Sequence, residues 1–97
     1  MATTPEGNVK KRVKKQLDEM GIYHFSPFQA GMGRAGIPDI IACCAGRFIA
    51  FECKAGKGKT TALQEKEISA IRAAGGMAYV INEDNMTTIK EVLQWMR

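Results

Sequence analysis

The chain is predicted to be an α/β protein, a mixed β-sheet flanked by helices in the order α-β-β-β-α-β-α, and three features of its 97 residues predict it. Apolar residues recur at helical spacing near both ends of the chain. Two apolar runs rich in β-branched and aromatic residues sit in the middle, separated only by Ala45-Gly46. Gly75-Gly76 then divides a further helical segment from another short apolar run. Strands in the middle with helices before and after imply a sheet covered on both faces.

Residues 5 to 20 are expected to be helical, because Val9, Val13, Leu17 and Met20 form one apolar stripe and lysines fill the other faces. Thr4 before Pro5 suits an N-cap and first helical position, and Gly21 a C-terminal stop. Residues 22 to 25 read as a short strand. Ser26 to Pro38 has no period and carries Gly31, Gly33, Gly36 and Pro38 in its second half, so it reads as a loop of functional length. Residues 39 to 44 and 47 to 54 read as a hairpin, apolar on both faces and therefore central and doubly covered. A glycine- and lysine-rich loop over residues 55 to 59 leads to a helix from Thr61 to Ala74, a strand from Met77 to Asn82, and a last helix from Met86 to Met96 capped by Asn85 or Asp84. No repeat, linker or low-complexity segment interrupts this order, so residues 1–97 are expected to form a single domain.

Composition narrows the function classes. No apolar run approaches the roughly 20 residues that cross a bilayer, and no apolar segment follows the N-terminal lysines as a secretory signal would require. Cys43, Cys44 and Cys53 are odd in number with two adjacent, so they are expected to be reduced, buried thiols in a cytoplasmic compartment. One histidine and no C-x-x-C leave little for a zinc site. The net charge of +4 is unevenly spread, with Lys10, Lys11, Arg12, Lys14 and Lys15 in one group and Lys54, Lys57 and Lys59 in another. A polyanionic partner fits this pattern, and so does an ordinary solvated face.

The hairpin brings chemistry together. With a two-residue turn at Ala45-Gly46, Cys44 faces Arg47 and Asp39 faces Glu52, while Lys54 shares the face of Glu52 by the strand period. A longer loop or a bulge would shift that pairing. Facing acids repel, and a divalent cation between them is an economical remedy. Mg²⁺ takes hard oxygen ligands, with the Cys53 carbonyl available on the same strand. Such a site can hydrolyse phosphodiesters, Lys54 orienting or activating the water or stabilising developing negative charge. The competing reading is a structural ion pair in which Lys54 neutralises the two acids.

Gly36-Ile37-Pro38-Asp39, twelve residues, then Glu52-Cys53-Lys54 resembles the PD-(D/E)-x-K nuclease motif. With the strand from Phe48 to Lys54, the basic loop and Gln64 early in the next helix, the pattern resembles the VRR-NUC family of that superfamily. The resemblance implies a restriction-endonuclease-like core and a DNA endonuclease dependent on Mg²⁺, with Mn²⁺ able to substitute, often acting on structured or branched DNA. Under it Asp39 and Glu52 are metal ligands, Lys54 the catalytic lysine, Glu6 an additional acidic ligand and Gln64 a glutamine near the site. The layout also resembles Holliday-junction resolvases, which implies a homodimer. Lys10, Lys11, Lys14, Lys57 and Lys59 are the candidate phosphate contacts on DNA. The alternative is a non-catalytic DNA-binding or assembly module of the same fold.

Two further motifs are declined. Gly31-Met-Gly33-Arg-Ala-Gly36 matches a dinucleotide fingerprint but precedes a strand rather than opening a helix. Gly58-Lys59-Thr60 ends like a phosphate loop, yet Cys53 stands where its first glycine must be. No nucleotide cofactor and no membrane partner are expected.

Overall fold

The computed structural model describes residues 4–28 and 34–96. Its elements are α1 (Pro5–Glu19), β1 (Tyr23–Phe25), β2 (Ile40–Cys44), β3 (Arg47–Cys53), α2 (Ala62–Ala73), β4 (Met77–Ile81) and α3 (Thr88–Met96), in the predicted α-β-β-β-α-β-α order. One four-stranded sheet runs β1-β2-β3-β4. The first three strands are antiparallel neighbours and β4 lies parallel to β3, so the sheet is mixed.

The stripe on α1 sets the main core. Val9, Val13 and Leu17 are buried against the inward residues of the sheet, Ile40, Ala42, Ile49, Phe51, Cys53 and Ile81, together with Ile89 and Leu93 of α3. Each of the buried Val, Leu, Ile and Phe side chains contributes about 1.5–3 kcal/mol by leaving water. Thr4 caps α1 as expected, its hydroxyl accepting from the Gly7 N–H at 3.0 Å. His24 Nε2 meets Asp18 Oδ1 at 2.6 Å and ties β1 to the end of α1. Alternate residues of the strands face α2, where Ala50, Ala78 and Ile68 form a second, smaller core.

Three expectations are corrected. The last helix begins at Thr88 rather than Met86, and Asn85 does not cap it. Asn85 instead closes its own loop, its Oδ1 accepting from the Asn82 N–H and its Nδ2 donating to the Val80 carbonyl. The hairpin is covered completely on the α1 and α3 side only. On the α2 side Phe48 is 48% exposed. Cys43, which pairs with it, is also exposed rather than buried. Among the described residues, α2 covers that side over β3 and β4 and leaves part of β1 and β2 open. Of the predicted loop over 26–38, residues 29–33, with Gly31 and Gly33 of the declined fingerprint, lie outside the described residues.

Candidate active site

The site begins with a turn. Ala45 and Gly46 both have positive φ, 52° and 78°, which is the backbone of a type I′ hairpin. The ladder it sets runs from Cys44 opposite Arg47 to Ile40 opposite Phe51. One step further the chain places Asp39, in the bend before β2, beside Glu52. Asp39 Oδ2 accepts the Cys53 N–H at 2.9 Å, which pins the carboxylate against the end of β3. Lys54 follows the strand, and its own N–H donates to the Ile81 carbonyl at 2.9 Å. A rigid central strand thus holds Glu52 and Lys54, while a latched bend holds Asp39.

Two adjacent acids, Asp39 and Glu52, are flanked by lysines at this end of the sheet. Lys10 Nζ lies 3.8 Å from Asp39 Oδ1, Lys54 Nζ lies 3.7 Å from Glu52 Oε2, and the same ammonium lies 3.9 Å from Glu6 Oε1. Glu52 is only 2% exposed and Lys54 9%, whereas Glu6 is exposed at the start of α1. Gln64, in the first turn of α2, donates from Nε2 to Glu52 Oε2 at 3.1 Å. Glu6 and Gln64 therefore join the three motif residues in space. Lys10 stands over Asp39. Lys14 lies farther along the same helix, and Lys57 and Lys59 are exposed in the loop after β3.

Burial, followed by the charge of Asp39, pushes the Glu52 carboxyl up from 4.5 to about 8, against the opposing pull of Lys54. Burial and the same two carboxylates push the Cys53 thiol up to about 12, so it stays a neutral, packed group. Glu52 Oε1 is buried without a hydrogen-bond partner among the described residues. With its proton on, Glu52 shares a hydrogen bond with Asp39; with the proton off, the two facing carboxylates are a site that a hard cation would satisfy, and Mg²⁺ is bound by one or two carboxylates with waters and substrate oxygens. Among the described residues no three His, Cys, Asp or Glu side chains converge on one point, so the fit is to two carboxylates. The Cys53 carbonyl lies at the same strand end.

The model of the archaeal Holliday junction resolvase (Hjc) family matches residues 6–93, nearly the whole chain. The chain belongs to that family. It is a branch of the PD-(D/E)-x-K nuclease superfamily, which accords with the acid, acid and lysine set on the hairpin. The match names the resolvases rather than the VRR-NUC branch. Comparison with individual curated proteins finds no match. The fold agrees with the restriction-endonuclease-like core expected of the superfamily.

Two features escaped the sequence reading. Thr61 and Gln64 form a reciprocal capping box, for which T-x-x-Q before an apolar run is the signal. Glu83 Oε1 accepts the Gly56 N–H at 2.9 Å and so holds the lysine loop to the β4–α3 connection. Nothing in the sequence announces that second contact, which joins residues 27 apart.

Proposed function

We propose that this chain is a divalent-metal-dependent DNA endonuclease that hydrolyses phosphodiester bonds in branched DNA, the four-way junction above all. Mg²⁺ is the expected ion and Mn²⁺ a working substitute. The observation that carries the reading is the pair Asp39 and Glu52, pressed together at a buried strand end with no donor to Glu52 Oε1 among the described residues and Lys54 alongside. Family membership supplies the class of DNA.

Asp39, Glu52 and the Cys53 carbonyl would hold the ion, with Glu6 the additional acid on the same rim. Bound there, a divalent cation supplies charge neutralisation at the scissile phosphate and lowers the pKa of water. Lys54 then orients the attacking water and stabilises the negative charge that develops as one P–O bond forms and the P–O bond to the departing deoxyribose oxygen breaks. Gln64 holds Glu52 in place by its hydrogen bond. Lys10, Lys11, Lys14, Lys57 and Lys59 contribute phosphate contacts, which act largely without regard to sequence.

Resolving a four-way junction takes two symmetric cuts, and each chain folds as one domain with one acid, acid and lysine set, so a homodimer is the working unit we propose. Its interface is the open sheet face on the α2 side. Tyr23, Cys43 and Phe48 stand in one cross-strand row there, with Phe25 beside them, and none bears a charge. A two-fold interface needs a self-complementary patch of this kind.

A substrate panel tests the activity. Four-way junction, flapped, linear duplex and single-stranded DNA are incubated with Mg²⁺, with Mn²⁺ and with chelator. Metal-dependent cutting that favours the junction is expected. Binding without cutting under either metal would make the chain a non-catalytic DNA-binding module instead.

A further inference from the structure

Both ends of the Gln64 amide are engaged. Its Oε1 accepts the Thr61 backbone N–H at 2.9 Å, and its Nε2 donates to Glu52 Oε2 at 3.1 Å. A backbone N–H can only donate, so the oxygen must face Thr61 and the NH₂ group must face Glu52. The hydrogen-bond network thereby decides an orientation that amide shape alone leaves ambiguous. Thr61 completes the loop, its Oγ1 accepting from the Gln64 backbone N–H at 3.2 Å from an extended N-cap conformation.

A second contact meets the same turn. Gly36 has φ +79°, and a Cβ there would lie 2.5 Å from the Leu63 carbonyl carbon and oxygen and 2.9 Å from the Gln64 nitrogen. The segment that leads to Asp39 thus lies directly on the turn that carries Gln64. Arg34 Nε reinforces it at 3.3 Å from Glu67 Oε2, one turn further along α2.

We propose that Thr61 is a positioning residue of the site. By closing the reciprocal cap with Gln64 it aims the amide hydrogens at Glu52 Oε2 and leaves Glu52 Oε1 as the open oxygen for a cation. Thr61 touches neither acid and acts only through Gln64. The inference rests on the reading of Asp39 and Glu52 as the holders of a divalent ion.

The test is a Mn²⁺ titration followed by the paramagnetic signal of the free ion, with junction-cleavage kcat and KM measured in parallel. Gln64→Leu should weaken Mn²⁺ binding about 10–100-fold, as loss of a group that orients a ligand does. Thr61→Ala should weaken it about fivefold, the equivalent of the one lost hydrogen bond from the Gln64 N–H to the Thr61 hydroxyl, and lower kcat rather than raise KM. Thr61→Ser and Thr61→Asp, which also cap, should restore the affinity. In Thr61→Ala/Gln64→Leu the two losses should not multiply, because the cap works through the amide. Where Thr61→Ala proves too unstable, Thr61→Gly removes the hydroxyl at a smaller cost to the helix and should behave alike. Wild-type affinity in Thr61→Ala and Thr61→Gly, with Asp39→Asn defective, would overturn the positioning role while sparing the metal site. So would losses that multiply in the double variant. Wild-type affinity in Asp39→Asn would overturn the metal site and the inference with it.

Discussion

Glu52 carries the most consequential electrostatics of any single residue here. Its carboxyl, raised to about 8, keeps a proton in the folded chain at pH values where the unfolded chain, near 4.5, has released it. The folded state therefore binds more protons between those values, and the contribution of Glu52 is fully present below about 4.5 and declines as pH rises toward 8. A cation competes with that proton, so its stabilising effect should grow over the same window. Thermal melts without metal should show Tm falling across this range, and the rise in Tm on adding Mg²⁺ should be larger at pH 8 than at pH 5. A Mg²⁺ effect that ignores pH would contradict this account of the buried acid. Asp39, Glu52 and Lys54 were legible in the sequence because hairpin parity follows from turn length. The partners of Glu6 and Lys10 were not. Which acid meets which lysine depends on how α1 crosses the strand ends, and no periodicity encodes that.

Turns and helix ends decide the geometry at the scale of elements. Ala45 holds φ 52°, a left-handed conformation that disfavours a side chain with Cβ, at the first position of a turn that prefers Asn-Gly. Ala45→Asn or Ala45→Gly should stabilise the protein by about 1 kcal/mol in denaturant unfolding with activity unchanged. A loss of stability would mean that the turn differs from type I′. Gly36→Ala should do the reverse. The new methyl meets backbone rather than a flexible side chain, and the positive φ alone costs about 1–3 kcal/mol, so both stability and cleavage should fall. A variant with wild-type melting temperature would refute the close approach of that loop to α2. The helix periods and the Ala45-Gly46 turn showed through the sequence, since each is a local pattern. The start of α3 did not, because Asn85 finds tertiary partners that outcompete a capping role.

Taken as a whole molecule, the chain covers its central hairpin fully on one face of the sheet and only partly on the other. The α1 and α3 side closes over the hairpin and leaves a groove only at β4, where Met77 and Tyr79 meet Val92 and the exposed Trp95, while the α2 side leaves Tyr23 70%, Phe25 47% and Phe48 48% exposed. If a second copy covers them, sedimentation should give a dimer, and Phe48→Glu should give a folded monomer that nicks a junction without paired cuts. A monomeric wild-type chain would rule that interface out. The exposure of Cys43 and Phe48 was hidden in the sequence, where two-sided apolar strands look doubly covered whether the second cover is a helix or another subunit. The central claim is that Lys54 performs chemistry beside a metal held by Asp39 and Glu52. It is tested most directly by single-turnover cleavage of a four-way junction by wild type, Lys54→Ala and Asp39→Asn, with junction binding measured separately. Both variants should bind the junction and cut it at least about 100-fold more slowly, in keeping with loss of a charge-stabilising group. Cutting at the wild-type rate by Lys54→Ala would contradict the account.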